Sequence, residues 1–207
     1  MLVLGANGAT GKAVLKRLKD TDNKFSVFAL ARKPKPEGFN GTWIQQDNMI
    51  PVPDIKPDHI MCCLGTTKKT AGSAEKFIKI DHDLVIELAT AFHKQNPNAT
   101  LSYISSMSAD ANSSFLYTKS KGRTENDLMA IGFKRCYVLR PGFLVLDGKR
   151  PDERWLESAF IFLIKIIPFK DLLSVSVDKV AKCMIKLAED QPEQVIYENS
   201  HIHKMTK

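Results

Sequence analysis

The sequence predicts a doubly wound α/β domain: a parallel sheet covered by helices on both faces, in three α/β/α layers. Three observations carry that prediction. Short apolar runs alternate with amphipathic helical segments, the runs are apolar almost without interruption, and the segments joining them are long enough for crossovers. Parallel strands need long crossovers, and strands with no polar side are covered on both faces.

The elements follow in order. Leu2, Val3 and Leu4 read as a short buried strand, followed by a glycine-punctuated turn over residues 5–11 and a helix over 12–18. Residues 25–31 form a second strand, ended by Arg32, Lys33 and Pro34, and residues 42–46 a short third. A fourth spans 59–64 and stops at Gly65, Thr66 and Thr67. Phe77, Ile80, Leu84, Ile86, Leu88 and Phe92 then mark one long amphipathic helix. Residues 101–105 make a fifth strand, and Ser113 and Ser114 are candidate N-caps for a helix reaching about Met129. The sixth strand, 136–140, closes at Pro141 and Gly142. A helix over about 177–187 and a late strand at 195–197 complete the pattern. With no repeat or linker, the expectation is a single domain over 1–207, in which 143–207 contribute a small substrate or lid region.

Composition narrows the function classes. The 207 residues are 43% hydrophobic and 26% charged, values of a globular chain that exclude disordered, collagen-like and coiled-coil classes. Thirty Lys and Arg against 23 Asp and Glu give +7, which suits an anionic small molecule. No block of five or six like charges occurs, so no nucleic acid partner is expected. Cys62 and Cys63 are adjacent within an apolar run, and the four cysteines form no disulfide framework, which points to a reducing compartment. The greasy stretch over 159–169 is broken by Lys165 and Pro168 and falls short of the ~20 residues of a membrane span. With no targeting segment visible, no membrane association and a cytoplasmic location are expected. His201 and His203 lack a cluster of further ligands, so no metal is expected.

Gly5, Gly8 and Gly11 form G-x-x-G-x-x-G at the first strand–helix junction. Glycine is needed where the backbone approaches a pyrophosphate closely and where helix and strand pack tightly. The helix that follows offers unpaired N–H groups to the phosphates. A triphosphate loop ending at Gly11 and Lys12 fails on spacing, because Ala6 and Ala13 stand where Gly and Ser or Thr are required. After the second strand come Arg32 and Lys33 instead of the carboxylate that binds the ribose 2′-hydroxyl of NAD; two cations fit the 2′-phosphate of NADP(H). Asp47, after the third strand, is a candidate adenine contact, although a polar turn would also explain it.

Tyr117 and Lys121 stand one helical turn apart, on one face. A cation there favours the tyrosinate, so the phenol can exchange a proton with a carbonyl oxygen as hydride moves to or from its carbon. Ser105 and Ser106, at the end of the fifth strand, are placed to hydrogen-bond the developing oxyanion; either could do so.

Together these residues resemble the extended and atypical short-chain dehydrogenase/reductase superfamily. Cys63-Leu-Gly-Thr-Thr67 with Ala71, Gly72 and Phe77 resembles, more narrowly, the small NAD(P)-binding branch typified by the Tat-interacting tumour suppressor and its bacterial relatives. Ser105-Ser106, Phe115-Leu-Tyr117, Lys121-Gly122 and Arg140-Pro-Gly142 match that branch as well. The resemblance covers about residues 2–190. It implies a Rossmann fold, with Gly5, Asn7, Gly8, Ala9, Thr10 and Gly11 at the pyrophosphate and Arg32 at the 2′-phosphate. It also implies that Leu64, Gly65 and Thr66 line the nicotinamide ribose and that Lys121 reaches ribose hydroxyls.

Two functions fit. The first is an NADPH-dependent reductase of a small carbonyl-type substrate; the short stretch after Gly142 leaves little room for the substrate domain of nucleotide-sugar epimerases. The second is an NADPH-sensing module read by a protein partner or a second copy; Trp155, Phe160 and Phe162 could form a lid or partner surface, or equally ordinary core.

Overall fold

A computed structural model describes residues 1–21, 24–146 and 173–207. The greasy stretch over 159–169 and the aromatics Trp155, Phe160 and Phe162 lie outside the described residues.

The chain runs β1 (Leu2–Leu4), α1 (Ala9–Lys19), β2 (Phe28–Ala31), β3 (Thr42–Gln45), β4 (His59–Cys62), α2 (Lys68–Ala71), α3 (Ala74–Ile78), a π-helical segment (Lys79–Asp83) and α4 (Leu84–Gln95). It continues with β5 (Thr100–Ile104), α5 (Leu116–Ala130), β6 (Arg135–Arg140), β7 (Phe143–Val145), β8 (Ser174–Ser176), α6 (Val177–Asp190), β9 (Ile196–Glu198) and α7 (Asn199–Met205). Seven strands form one sheet in the order β3-β2-β1-β4-β5-β6-β9, and every pairing is parallel. β7 and β8 pair in parallel as a separate two-stranded sheet, which the sequence pattern did not suggest.

The apolar alternation explains the layers. Val3, Ala29 and Met61 face one core with Val14, Leu15 and Leu18 of α1 and Val180, Ala181 and Met184 of α6. Leu2, Leu4, Ile60 and Leu101 face the other, against Val85, Leu88 and Phe92 of α4 and Leu128 of α5. All residues of β4 and β5 are buried, as strands sandwiched between two helical layers must be. Arg17 of α1 forks onto Asp178 of α6, with Nε donating to Oδ1 at 2.6 Å.

Sequence and structure differ in two places that matter for the site. The expected long helix is three pieces, because a π-helical segment interrupts it between α3 and α4. Helix α5 begins at Leu116, and Ser113 does not cap it: its hydroxyl instead meets Thr118 Oγ1 at 2.6 Å and accepts from the Phe115 N–H.

Strand order reverses between β1, which pairs with β2 on one side and with β4 on the other. At the carboxyl end of β1, therefore, neighbouring loops diverge and leave a crevice, the place where open parallel sheets bind ligands. The glycine turn lies there.

Candidate active site

The glycine turn is shaped by close backbone packing. Gly5 has φ +76°, and a side chain there would meet the Cys63 carbonyl oxygen at 2.7 Å and the Leu64 nitrogen at 2.9 Å. A side chain on Gly11 would fall 2.3 Å from the Gly5 oxygen, so α1 can start against the turn only with glycine at that position. Gly8 is the N-cap of α1, and no side chain caps it. The Gly8 N–H turns back to the Gly5 oxygen at 2.9 Å, and the first bond into the helix is from Lys12 to Gly8. The first-turn N–H groups of an α-helix have no partner within the helix, and α1 has no acidic residue there to accept from them. A cradle of backbone donors at the positive end of a helix fits a diphosphate. Asn7, Ala9 and Thr10 belong to the same turn.

Arg32 and Lys33 directly follow β2 and are exposed, and neither forms an ion pair among the described residues. The Lys33 carbonyl accepts from the Trp43 indole at 3.1 Å, which ties this turn to β3. Asp47 is exposed just beyond the end of β3.

Next to the glycine turn, the segment after β4 leads into a charged cluster. Thr66 N–H donates to Asp81 Oδ1 at 3.2 Å, and Asp81 Oδ2 pairs with the Lys121 ammonium at 3.3 Å. Both side chains are almost wholly buried, at 0% and 4% exposure. Lys121 Nζ also donates to Tyr103 Oη at 3.0 Å and to the Ile104 carbonyl at 3.2 Å. Burial works against its charge, but Tyr103 and Asp81 outweigh burial, and the Lys121 pKa lies above the ordinary lysine value. Burial pushes the Tyr103 phenol up, so it stays protonated. The π-helical turn places Asp81 here; extra-residue turns of this kind recur where a helix must redirect a functional side chain. A β-carbon on Gly65 would stand 3.3 Å from Asp81 Oδ1 and 3.7 Å from Lys121 Nζ, so the turn after β4 rests directly on the ion pair.

Tyr117 and Lys121 do share a face of α5, yet they point to different surroundings. Tyr117 is 45% exposed, its ring 6.1 Å from that of buried Phe77, whereas Lys121 reaches inward. The expected phenol–ammonium contact is made by Tyr103, a strand residue. The two serines separate as well. Ser105 is buried and its hydroxyl donates to Glu125, which Arg140 holds with Nε at 3.0 Å and Nη2 at 2.5 Å. Arg140 also donates to Glu198 at 3.0 Å, so this network ties α5, β6 and β9 together. Ser106 Oγ donates to the adjacent Met107 carbonyl, at 3.1 Å.

Sequence reasoning thus missed Asp81, Tyr103 and Glu125. Signals existed for two of them. Asp81 is a carboxylate four residues after Phe77 on the apolar side of a helical pattern, and Glu125 continues the Tyr117–Lys121 face by one more turn. Elsewhere His203 Nε2 reaches the Ser174 carbonyl at 2.8 Å, His201 takes part in the α7 capping box, and no group of metal-ligating side chains occurs among the described residues.

A parallel sheet with a glycine cradle at its switch point and a Tyr-x-x-x-Lys helix beside it defines a Rossmann-fold protein of the short-chain dehydrogenase/reductase class. The profile of the NAD dependent epimerase/dehydratase family matches residues 1–124, and the chain belongs to that NAD(P)-binding family. Among curated proteins, "Protein FMP52, mitochondrial" of Meyerozyma guilliermondii is 32% identical, over 100% of this chain and 94% of its own. Protein HTATIP2 of Rattus norvegicus is 34% identical, over 77% of this chain and 69% of its own. Among solved structures, MoeE5 in complex with UDP-glucose and NAD shares the fold at TM-score 0.69 and 15% identity, over 95% of this chain and 74% of that one. The human epimerase family protein SDR39U1 with NADPH does so at TM-score 0.65 and 13% identity, over 95% and 72%.

These relatives correct one expectation. The expected cytoplasmic location is overturned, because relatives matching the full chain carry a mitochondrial designation in their names. Among the described residues no helix is long and apolar enough to cross a membrane.

Proposed function

We propose that this chain is an NADP(H)-dependent reductase of a small carbonyl-type compound, with Tyr117 as its general acid. One observation carries the reading: Gly5 packs on Cys63 and Leu64, and Gly65 packs on Lys121 and Asp81, so cradle, β4 turn and Tyr-Lys helix form one continuous surface. Gly5, Asn7, Gly8, Ala9, Thr10 and Gly11 would hold the pyrophosphate, and Arg32 with Lys33 the 2′-phosphate. Asp47 would meet the adenine, and Leu64, Gly65 and Thr66 the nicotinamide ribose. Arg32 is free to offer two parallel hydrogen bonds to a phosphate, which a lysine cannot do. A bound nicotinamide would supply hydride.

The protein's own part is proton transfer and orientation. Tyr117, partly exposed, gives its hydroxyl proton to the substrate oxygen; packing against Phe77 fixes the ring. Lys121, held by Asp81, Tyr103 and the Ile104 carbonyl, keeps a cation one helical turn from Tyr117 and stabilises the phenolate left behind. Ser106 polarises the carbonyl, because Ser105 is committed to Glu125. In line with its relatives, we place the protein in mitochondria.

A panel of small aldehydes and ketones, followed by loss of NADPH absorbance, tests the reading. Turnover of at least one carbonyl by the wild-type protein is the expected result. A Tyr117→Phe variant that binds NADPH but turns over about 10²–10⁴-fold more slowly would place the phenol in the mechanism. A protein that binds NADPH and reduces nothing favours the sensor reading, whose support is exposed Phe115 (78%) beside Tyr117.

A further inference from the structure

The molecule has a second concavity, away from the glycine cradle. β2 and β3 are parallel neighbours, yet the connection between them carries no helix. The flank of α1 that a crossover helix would cover is instead faced by the loop over 36–40, leaving a cavity of about 330 Å³. Leu15 and Leu18 of α1, with Phe25 and Phe39 opposite, give it an apolar floor. Phe39 is braced edge-on against Trp43, with ring centroids 5.5 Å apart.

The rim is cationic. Lys12, Lys16 and Lys19 follow one edge of α1 at i, i+4 and i+7, and all three are exposed. None of them forms an ion pair among the described residues. Beyond the lining residues, Lys35 stands 5.9 Å from the Phe39 ring, and Lys24, which is paired with Glu189 at 2.8 Å, stands 5.3 Å from Phe25, so the unpaired ammonium groups of the rim are those of α1. Glu37 is the one carboxylate among the lining residues. An apolar hollow edged by unpaired ammonium groups is complementary to a molecule with a greasy body and an anionic head. The volume, near the low end of the about 300–1,000 Å³ of small-molecule sites, limits that body to a short chain or a ring or two. A concave site of this size suits a discrete ligand; a membrane surface would need the apolar groups to protrude.

We propose that this cavity binds a small amphipathic carboxylate, its apolar tail on Leu15, Leu18 and Phe39 and its carboxylate at Lys12, Lys16 and Lys19. None of the lining residues belongs to the glycine cradle or to the Arg32–Lys33 turn, so the ligand and the dinucleotide occupy different places. The shared element is α1, whose N-terminus faces one site and whose flank faces the other.

The test is titration of the full chain with decanoate below its micelle concentration, read by calorimetry and by displacement of the amphipathic dye anilinonaphthalene sulfonate. Saturable one-to-one binding is expected, with decyltrimethylammonium at least tenfold weaker. The exposed triple variant Lys12→Gln/Lys16→Gln/Lys19→Gln, checked for an unchanged circular dichroism spectrum, should bind decanoate at least tenfold more weakly. Saturating NADPH should change the affinity less than threefold. Four results would overturn the proposal: no saturable binding, equal binding of the cationic analogue, an unaltered affinity in the triple variant, or displacement by NADPH. Retention only on anionic vesicles, with no binding of free decanoate, would overturn it as well.

Discussion

β4 and β5 carry polar clusters at both ends, and the two clusters are built on opposite plans. At the amino end, His59 is buried between Thr100 Oγ1 at 2.5 Å and Ser102 Oγ at 3.1 Å, and burial lowers its pKa to about 3. The imidazole is neutral there, the N-terminal ammonium adding to the effect of burial, and both ring nitrogens have partners. At the carboxyl end, Lys121 stays charged in an equally buried setting, and Asp81 Oδ2 has the ammonium 3.3 Å away without a hydrogen bond of its own. A buried ion pair is a poor source of stability, since well-packed apolar residues do as well or better. The contrast therefore separates a cluster built on a neutral imidazole from one built on an ion pair beside the crevice.

The largest effects should come from breaking the charged end. Lys121→Met leaves Asp81 buried without its cation, and loss of one partner from a buried pair costs about 3–5 kcal/mol. Denaturant unfolding would measure this, and Lys121→Met/Asp81→Asn should recover part of the loss. If the double variant is as unstable as the sum of the two single variants, the pair is not coupled and the contrast fails.

The exposed rim of the same end should affect binding and leave stability alone. On the proposed reading, Arg32→Glu would remove a bidentate phosphate donor and add a repulsive charge, so NADPH affinity should fall about 10–100-fold relative to NADH, by the usual worth of charge-assisted hydrogen bonds. Paired titrations of the two coenzymes would show the shift; an unchanged ratio removes Arg32 from the cofactor site.

At the amino end the effect depends on pH. Unfolded, His59 takes a proton near its ordinary pKa of 6.5; folded, it does so only near 3. Between those values the unfolded chain binds the additional proton, so His59 makes stability fall as pH drops, by at most about 1.4 kcal/mol per unit. Its contribution is fully present above pH 6.5. His59→Gln should flatten that part of the pH profile while leaving the NADPH affinity as it was. A variant with the wild-type slope would show that His59 is charged or exposed.

How much of this could be read from the chain alone follows from the same contrast. The sheet was legible because β1, β4, β5 and β6 are apolar runs, and the cradle because Gly5, Gly8 and Gly11 each stand at a strand–helix junction. The π-helical segment was not, since Phe77, Ile80 and Leu84 keep a helical spacing across it. Tyr103 gave no signal: a tyrosine in a buried strand reads as core until a lysine from another element is known to reach it. Lys121 was found through its spacing from Tyr117, but its partners are long-range, and spacing along one helix cannot reveal them. Nor could the pattern choose between Ser105 and Ser106, which differ through Glu125, twenty residues from Ser105.

On the proposed reading, the backbone cradle at the start of α1 takes a dinucleotide next to the Lys121–Asp81 pair. Calorimetric titration of NADPH into the wild-type protein and a Gly11→Val variant tests this most directly. The predicted result is one saturable site in the wild type and none in the variant, because a side chain at Gly11 meets the Gly5 oxygen at 2.3 Å and displaces the turn. Equal binding by both proteins, or binding by neither, would contradict it.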